Sequence, residues 1–237
     1  MIPKVINFCW FGGKPLPKSV KKNIKTWERF CPDYKIVKWD ETNFDINCNN
    51  FVRQAYKNKA WAFVSDYARL KIIYENGGIY LDTDVEIIRN LDPLLCNEAY
   101  VGIQRQENLC STGVGFGAEK NNVVIGMMLS KYNDLCFDKN NLLAISCPFL
   151  NNDVIRFLGY KTSTKIINLG HVCVYPPKYF DPLSPGYTDD LLSPETYTIH
   201  HYDASWVHGK GKLRRIIANS LGQKNINFLK RLLWFYR

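Results

Sequence analysis

The sequence predicts an α/β fold in which a parallel sheet is flanked by helices. Residues 4–8 and 34–39 have the apolar and β-branched composition of strands, and a helix is predicted between them, with Pro17 in its first turn. A second helical pattern, clearest over residues 60–75, ends at the Asn-Gly-Gly of 76–78 and leads directly into another strand. Strands that alternate with helices form parallel sheets, and ligands collect at the carboxyl ends of those strands.

The second half of the chain gives weaker signals. The remaining predicted elements are a helical start near residue 50, a strand over 99–104, a glycine-rich crossing over 111–120 (STGVGFGAEK), a helix over 122–132 and short strands over 166–169 and 172–175. From residue 134 to residue 193 the composition is otherwise that of loops. No internal repeat is present.

Length and composition predict one domain. With 46% hydrophobic residues, the 237-residue chain can bury a sizeable core, and nothing in it resembles an interdomain linker. We expect a domain over residues 1–209 and a basic amphipathic helical tail over residues 210–237. No stretch reaches the roughly 18 to 20 apolar residues of a membrane span. The amino terminus lacks the charged start and apolar run of a secretory signal, so a cytoplasmic location is predicted.

The eight cysteines do not form a recognisable framework. No two of them are closer than 11 residues, which excludes the spacing of zinc ligands. Because no export signal is present, reduced thiols are predicted in preference to disulfides.

The net charge of +9 is concentrated at the carboxyl end. No Asp or Glu follows Asp203, whereas that segment holds eight Lys and Arg residues; without them 23 basic residues face 22 acidic ones. A basic segment interleaved with Leu, Ile, Phe and Trp is typical of attachment to an anionic membrane surface. We therefore predict peripheral association with the cytoplasmic face of a membrane, with packing of the tail on its own domain as the alternative.

Three carboxylates lie close together in NGGIYLDTDVEI, residues 76–87. If this stretch is one strand, Asp82, Asp84 and Glu86 share a face with Tyr80. Like charges at such spacing repel one another unless a cation lies among them. Carboxylate oxygens suit Mg²⁺ or Mn²⁺, which predicts a divalent cation shared with substrate phosphates. The Asp-Thr-Asp-Val run also resembles the start of a haloacid-dehalogenase-type phosphatase, but the strand-like continuation disfavours that alternative.

Asp66 and Arg69 lie three residues apart on the predicted helix and therefore on one face. An intrahelical ion pair is the simplest interpretation. Because this helix leads through two glycines into the carboxylate strand, both side chains are also predicted to border the same cleft.

Trp10 follows the first predicted strand, beside the glycine turn of INFCWFGG. Its flat apolar face at the end of a strand could stack on a base. Most tryptophans lie in protein cores, so a place in the core is the alternative for this one.

The segment TIHHYDASW gathers His200, His201, Ser205 and Trp206. Adjacent strand residues point to opposite faces, so at most one histidine is expected to join the carboxylates. Imidazole can complete a Mn²⁺ shell, and the serine hydroxyl and the indole N–H can donate to phosphate oxygens. A buried structural histidine pair is the alternative.

Together these motifs resemble those of the sugar-binding DXD glycosyltransferases of glycosyltransferase family 32 and, more distantly, the glucosyltransferase domains of large clostridial toxins. The matching pieces are IPKVINFCWFGG, SDYARLKIIYENGGIYLDTD and HHYDASW, which span most of the chain. The pattern S-D-x-x-R followed by G-G-x-Y-x-D-x-D is highly specific. The resemblance implies a GT-A fold, an α/β architecture with a single Rossmann-like mixed sheet flanked by helices.

The resemblance also implies roles for the residues of a donor pocket. Trp10 would stack on the uracil of a nucleotide donor, and Phe8 in the same aromatic patch is assigned to the donor site. Asp66 and Arg69 would hold hydroxyls of the donor sugar, with Arg69 also near the diphosphate. Tyr80 would line the pocket.

For the metal and the diphosphate, the resemblance implies a second group of residues. Asp82 would contact the ribose and the sugar, and Asp84 would bind the metal directly. His201 takes the position of a carboxylate ligand in the toxins, so the implied metal site is Asp84, His201 and Asp82. Ser205 and Trp206 would contact the diphosphate.

The activity implied by the resemblance is retaining, metal-dependent transfer of galactose or glucose from a UDP-sugar, with Mn²⁺ or Mg²⁺ as the cofactor. The acceptor would be an oligosaccharide or lipid-linked glycan, as in bacterial capsule or O-antigen synthesis. The implied catalytic residues are Asp66, Arg69, Asp82 and Asp84. A noncatalytic sugar-nucleotide or glycan-binding module is the alternative. A nucleic-acid partner is not predicted, because it would leave the acidic cleft unexplained.

Overall fold

The computed structural model describes residues 1–203 of the chain. The predicted site residues Ser205 and Trp206, the predicted boundary at residue 209 and the basic tail lie outside the described residues. Within residues 1–203, all eight cysteines are free thiols. No helix in this range combines the length and the apolarity that crossing a bilayer requires.

The first part of the chain alternates strands and helices as predicted. The elements are β1 (Val5–Cys9), α1 (Lys18–Phe30), β2 (Lys35–Trp39), α2 (Asn50–Lys57), α3 (Trp61–Asn76) and β3 (Gly78–Tyr80). Pro17 precedes the first turn of α1 in an extended conformation, and the side chain of Asn49 accepts a hydrogen bond from Phe51 N at the start of α2.

The second part contains more strands than the sequence predicts. Its elements are β4 (Val85–Ile87), β5 (Ala99–Ile103), β6 (Cys110–Ala118), α4 (Val123–Ser130), α5 (Cys147–Phe157), β7 (Ile167–Asn168), β8 (Cys173–Tyr175) and β9 (Thr198–His200). Single 3-10 turns lie at Asp92–Leu94 and Pro177–Tyr179.

Seven strands form one mixed sheet in the order β2-β1-β3-β6-β5-β8-β7. Strand β1 is parallel to β2 and β3, and β5 is parallel to β8, whereas β6 is antiparallel to both of its neighbours. Strands β4 and β9 pair separately as an antiparallel ribbon. The predicted α/β class with a single mixed main sheet flanked by helices is thus confirmed, while the parallel arrangement holds only for its first three strands and for β5 with β8.

The predicted glycine-rich crossing over residues 111–120 is wrong. All nine residues of β6 are buried in the centre of the main sheet. Glycine is used here because neighbours approach too closely for a side chain: a Cβ on Gly117 would lie 2.8 Å from the ring of Tyr100. The composition that reads as a loop is therefore that of a tightly covered central strand.

The predicted single strand over residues 79–87 is also divided. Strand β3 ends at Tyr80, residues 83–84 form a turn, and the chain continues as β4 in the two-stranded ribbon. The two aspartates of the DXD sequence therefore lie in the connection between two sheets.

The apolar core has two parts, one on each face of the main sheet. One contains residues of α2, α3, α4 and α5, and the other lies beneath α1. Trp27 of α1 is fully buried in the second part, where its indole N–H donates to Val85 O at 2.9 Å. This bond ties α1 to the strand that follows the aspartates.

Gly77 and Gly78 make the connection from α3 to β3 very short. Gly77 N donates to Ile73 O at 2.8 Å, and both glycines have positive φ angles of 70° and 104°. A Cβ on Gly78 would lie 2.8 Å from Val5 O. Helix α3 is thus fixed relative to β3, which sets the position of its polar side chains against the residues that follow the strand.

Candidate active site

A cavity of about 380 Å³ opens where β1 and β3 end. Segments from both halves of the chain contribute its lining. Its lining residues include Trp10, Phe11, Lys14, Trp61, Ser65, Asp66, Arg69, Asp82, Asp84, Gln104, Gln106, Ser111, Gly113, Cys147, His200 and Tyr202. The location agrees with the expectation that ligands bind at the carboxyl ends of strands in an α/β sheet.

Arg69 links the helix α3 to the connection that follows β3. Its Nη2 lies 3.1 Å from Asp66 Oδ1 and 3.0 Å from Asp82 Oδ1. The guanidinium also lies over the ring of Tyr80, 4.9 Å from its centroid. One buried cation therefore holds two carboxylates at the cavity wall, which we call the arginine cluster (Asp66, Arg69 and Asp82).

Burial has the largest influence on the pKa of both carboxylates in the arginine cluster. It raises the pKa of Asp66, while Arg69 and a hydrogen bond from the Cys147 backbone oppose that shift. Burial likewise raises the pKa of Asp82 to about 6, although Arg69 acts in the opposite direction. Without Arg69, both acids would lose the charge that compensates for their desolvation.

Gly113 of β6 completes this wall and was missed at the sequence level. A Cβ at this position would lie 2.5 Å from Asp82 Oδ2 and 2.9 Å from Arg69 Nη1. Only glycine leaves room for the ion pair where it stands. The GVGFG run contains this glycine, but a glycine-rich composition by itself predicts a loop and does not indicate close packing against a site.

Asp82, Asp84 and His200 form a second charged group, which we call the DXD–histidine cluster. One ligand atom from each of the three lies within 4.8 Å of the others. His200 Nε2 is 3.2 Å from Asp84 Oδ1. Burial by itself lowers the pKa of His200, but the carboxylates of Asp84, Asp181 and Asp82 together more than offset this effect, and the pKa is raised to about 9.

The DXD–histidine cluster fits a divalent cation. Two carboxylates and an imidazole are a donor set that suits Mn²⁺, and carboxylates with water suit Mg²⁺. The cluster faces a cavity large enough for further ligands from a substrate. Its two carboxylates lie close together, so a positive charge between them would be stabilised.

The predicted metal ligand His201 does not lie with the two aspartates, and the structure brings His200 to them instead. Residues 83–84 form a turn ahead of β4, so the Asp84 side chain does not follow the alternation of that strand. His201 N instead donates to Asp84 O at 2.9 Å, and its Nε2 lies 2.8 Å from Glu86 Oε2 near the surface. One of the two adjacent histidines thus reaches the carboxylates while the other forms an exposed pair.

Two residues assigned to donor binding do not line the cavity. Phe8 is buried on the α1 side of the sheet, where its ring packs edge-on against Trp27 at 5.6 Å. Its neighbour Cys9 points to the other face and lines the cavity. Tyr80 is also buried; its hydroxyl donates to Asp82 Oδ1 at 3.2 Å, so it supports a site residue from beneath. The predicted donor contacts of Phe8 and Tyr80 therefore have no support from the lining of this cavity.

Trp10 lies at the cavity, as expected from its position after β1. Its indole N–H donates to Lys14 O at 2.6 Å, which fixes the loop between β1 and α1. Trp61, at the start of α3, lines the same cavity and was not singled out from the sequence. A Cβ on Gly12 would lie 2.8 Å from the Trp61 ring. The glycine at this turn therefore allows the Trp61 indole to pack against the loop that follows Trp10.

Comparison with known proteins gives matches to glycosyltransferases. Residues 17–101 match the family described as the glycosyltransferase sugar-binding region containing the DXD motif. The chain is 30% identical over 119 residues to inositol phosphoceramide mannosyltransferase 3 of Schizosaccharomyces pombe, which is 48% of this chain and 33% of that protein. It is 30% identical over 101 residues to an uncharacterized glycosyltransferase of Acanthamoeba polyphaga mimivirus, 40% of each chain. The chain thus matches well under half the length of these relatives.

A solved structure has the same fold. The PaToxG glycosyltransferase superposes with a TM-score of 0.53 at 19% identity, over 66% of this chain and 68% of that one. The family match contains the arginine cluster and Asp84, whereas Trp10 and His200 lie outside its limits. Residues 17–101 therefore match the DXD-containing sugar-binding region of glycosyltransferases, and the chain has the GT-A fold.

Proposed function

We propose that this chain is a metal-dependent glycosyltransferase that moves a hexose, galactose or glucose, from a UDP-sugar to a glycan acceptor with retention of configuration. The observation that carries the proposal is the meeting of two charged clusters at one cavity. The arginine cluster and the DXD–histidine cluster share Asp82, and Trp10 lines the same cavity.

In this proposal the two clusters bind different parts of the donor. Asp84 and His200, with Asp82, would hold Mn²⁺ or Mg²⁺, which supplies positive charge to the departing diphosphate. Asp66 and Arg69 orient the sugar by hydrogen bonds to its hydroxyls, and Trp10 offers an apolar face to the base. Ser205 and Trp206, outside the described residues, are proposed to contact the diphosphate.

The chemistry proposed is front-face transfer. The bond between the sugar C1 and the diphosphate oxygen breaks, and the bond between C1 and the acceptor oxygen forms on the same face. The acceptor proton passes to the oxygen of the leaving diphosphate. Asp66 and Asp82 are both engaged by Arg69, so neither is assigned as the base.

For the acceptor we propose an oligosaccharide or lipid-linked glycan, as in capsule or O-antigen synthesis at the cytoplasmic face of the inner membrane. The support is the amphipathic basic composition of residues 210–237. A second candidate donor is a mannose nucleotide, because the curated fission-yeast relative is named a mannosyltransferase.

The decisive experiment is hydrolysis of a panel of UDP- and GDP-sugars by the purified protein, with Mn²⁺ or with EDTA. We expect one donor to be cleaved only with the metal, and Asp84→Ala to reduce that rate by on the order of 10³-fold, which is about 4 kcal/mol of barrier. Glu86→Gln is the matched control, because Glu86 pairs with His201 near the surface. Near-normal turnover by Asp84→Ala would refute the metal assignment.

If no donor is cleaved and none binds in calorimetry, the transferase activity itself is refuted. Donor binding without cleavage would instead favour the noncatalytic binding module.

A further inference from the structure

Asp181 is a fully buried acid that the proposed reaction does not use. Its Oδ2 accepts two hydrogen bonds, from Arg105 N at 2.7 Å and from the Tyr202 hydroxyl at 2.6 Å. The hydroxyl of Ser184 donates to the same Tyr202 oxygen at 3.1 Å. Two donors at one oxygen fix the orientation of the carboxylate and leave Oδ1 facing another direction.

Asp181 Oδ1 and His200 Nδ1 are both buried and lack a hydrogen-bond partner among the described residues. A buried polar atom without a partner costs about 1–3 kcal/mol, and native proteins contain few of them. Asp181 Oδ1 can accept a hydrogen bond, and His200 Nδ1 can donate one when it carries a proton. They are complementary in chemistry.

Tyr202 connects the two residues that carry these atoms. Its ring packs on the ring of His200, with 4.1 Å between centroids, while its hydroxyl binds Asp181. Tyr202 has a φ of 54°, a left-handed backbone conformation that non-glycine residues seldom adopt. Backbone strain of this kind persists where the surroundings hold a residue in place, and here it is held against His200.

We propose that Asp181 is a positioning residue for His200, whose Nδ1–H is held by Asp181 Oδ1 through one bridging water. This inference rests on the proposed metal-dependent function, because the contact with Asp181 would orient His200 toward Asp82 and Asp84, where the metal is proposed to bind. The Nε2 atom already lies 3.2 Å from Asp84 Oδ1. With the proton held at Nδ1, the Nε2 lone pair would be available to a cation held by Asp82 and Asp84.

Many metal sites in proteins contain the same pairing of a histidine with a carboxylate. A ligating histidine usually donates its second ring N–H to a carboxylate or carbonyl, which fixes both the tautomer and the plane of the ring. Tyr202 supports this arrangement from two sides, by packing on the imidazole and by holding the other oxygen of the carboxylate. The charge of Asp181 also contributes to the raised pKa of His200, which is consistent with their proximity.

The test is Asp181→Asn, with Asp189→Asn as the matched control. Asp189 is an exposed acid that also bonds Arg105, at 2.6 Å from Nη2, and it does not line the cavity. We expect Asp181→Asn to weaken Mn²⁺ binding by roughly 10-fold to 100-fold in calorimetry without donor, and Asp189→Asn to change it less than about 2-fold. Equal effects of the two variants, or wild-type affinity in Asp181→Asn, would overturn the proposal.

A second readout does not depend on the metal. The ¹⁵N and ¹H shifts of the His200 Nδ1–H group, assigned by their absence in His200→Gln, report its hydrogen bond in the metal-free protein. We expect a solvent-protected Nδ1–H in the wild type and a shifted or exchanging one in Asp181→Asn. If Asp181→Asn does not fold, the wild-type signal decides, since an Nδ1–H that exchanges freely with water overturns the inference.

The two readouts separate this inference from the proposed function. A wild type that binds no Mn²⁺ but shows the protected Nδ1–H would refute the metal-dependent transfer and retain the contact between Asp181 and His200. Tyr202→Phe keeps the ring on His200 and removes the hydroxyl. We expect it to weaken Mn²⁺ binding less than Asp181→Asn does, and the reverse order would contradict the assignment of Asp181 as the partner.

Discussion

The arginine cluster and the DXD–histidine cluster share Asp82 but balance their charges in different ways. In the first, a permanent cation from the chain lies 3.0 to 3.1 Å from both carboxylates. In the second, His200 Nε2 lies 3.2 Å from Asp84 Oδ1, and the charge of this side chain depends on pH. The difference teaches that the arginine cluster keeps its cation across the physiological pH range, whereas the charge of the DXD–histidine cluster changes when His200 titrates.

Removing the permanent cation should have the largest effect on the folded protein. We expect Arg69→Met to lower the free energy of unfolding by about 3 kcal/mol, because it leaves two buried carboxylates without compensation. Chemical denaturation at pH 7 measures this loss. The control is Lys71→Met on the same helix, which removes an exposed pair with Glu75 and should cost less than about 1 kcal/mol. Equal losses would mean that the arginine cluster does not stabilise the fold.

Crowding the arginine cluster should have a smaller effect. We expect Gly113→Ala to cost about 2 kcal/mol, because the added Cβ forces Asp82 and Arg69 apart. It should also weaken Mn²⁺ binding, since Asp82 is shared by the two clusters. Gly102→Ala is the matched control: its Cβ would lie 2.8 Å from a side-chain carbon of Val114 in the core, so stability should fall with metal affinity unchanged. Parallel losses of metal affinity in both variants would contradict the specific role of Gly113.

The two adjacent histidines sharpen the comparison at the other cluster. We expect His200→Gln to weaken Mn²⁺ binding by at least about 10-fold, or about 1.4 kcal/mol, and His201→Gln to leave it within about 2-fold. The reason is that His200 lies beside Asp84, whereas His201 pairs with Glu86. Titration calorimetry of the two variants distinguishes them directly. A larger effect at His201 would restore the ligand set implied by family resemblance.

A further effect is expected on the stability of the metal-free protein as a function of pH, measured in EDTA. The pKa of His200 is raised from 6.5 to about 9, so its charged form is favoured in the folded state. That contribution is fully present below pH 6.5 and is lost as the pH rises through 9. We expect the melting temperature of the wild type to fall more over this range than that of His200→Gln. Identical pH profiles would show that the pair with Asp84 does not stabilise the metal-free protein.

The sequence predicted the arginine cluster better than the DXD–histidine cluster, for a physical reason. Asp66 and Arg69 are related by helical spacing, and Gly77 and Gly78 fix the step to the next strand. These are local rules. The choice between His200 and His201 instead depends on where the chain leaves β3, turns and enters a second sheet, which no spacing within the segment reveals.

Other errors have the same origin in long-range packing. The glycines of β6 have the composition of a loop, yet the rings and backbone of neighbouring strands require them. Helix α5, which was not predicted, brings Cys147 to the cavity from a region that reads as loops. Phe8 and Tyr80 were assigned to the pocket from their motif positions, but their side chains face the core.

The spacing of the two clusters along the chain also has a consequence for folding. Arg69 and Asp82 are only 13 residues apart in the sequence, whereas His200 and Asp84 are separated by 116. Closing the longer loop costs about 2 kcal/mol more in chain entropy than closing the shorter one. The arginine cluster can thus form early from local contacts, whereas the DXD–histidine cluster is assembled only after the distant β9 has paired with β4. Metal affinity acquired during refolding would then report the pairing of β9 with β4.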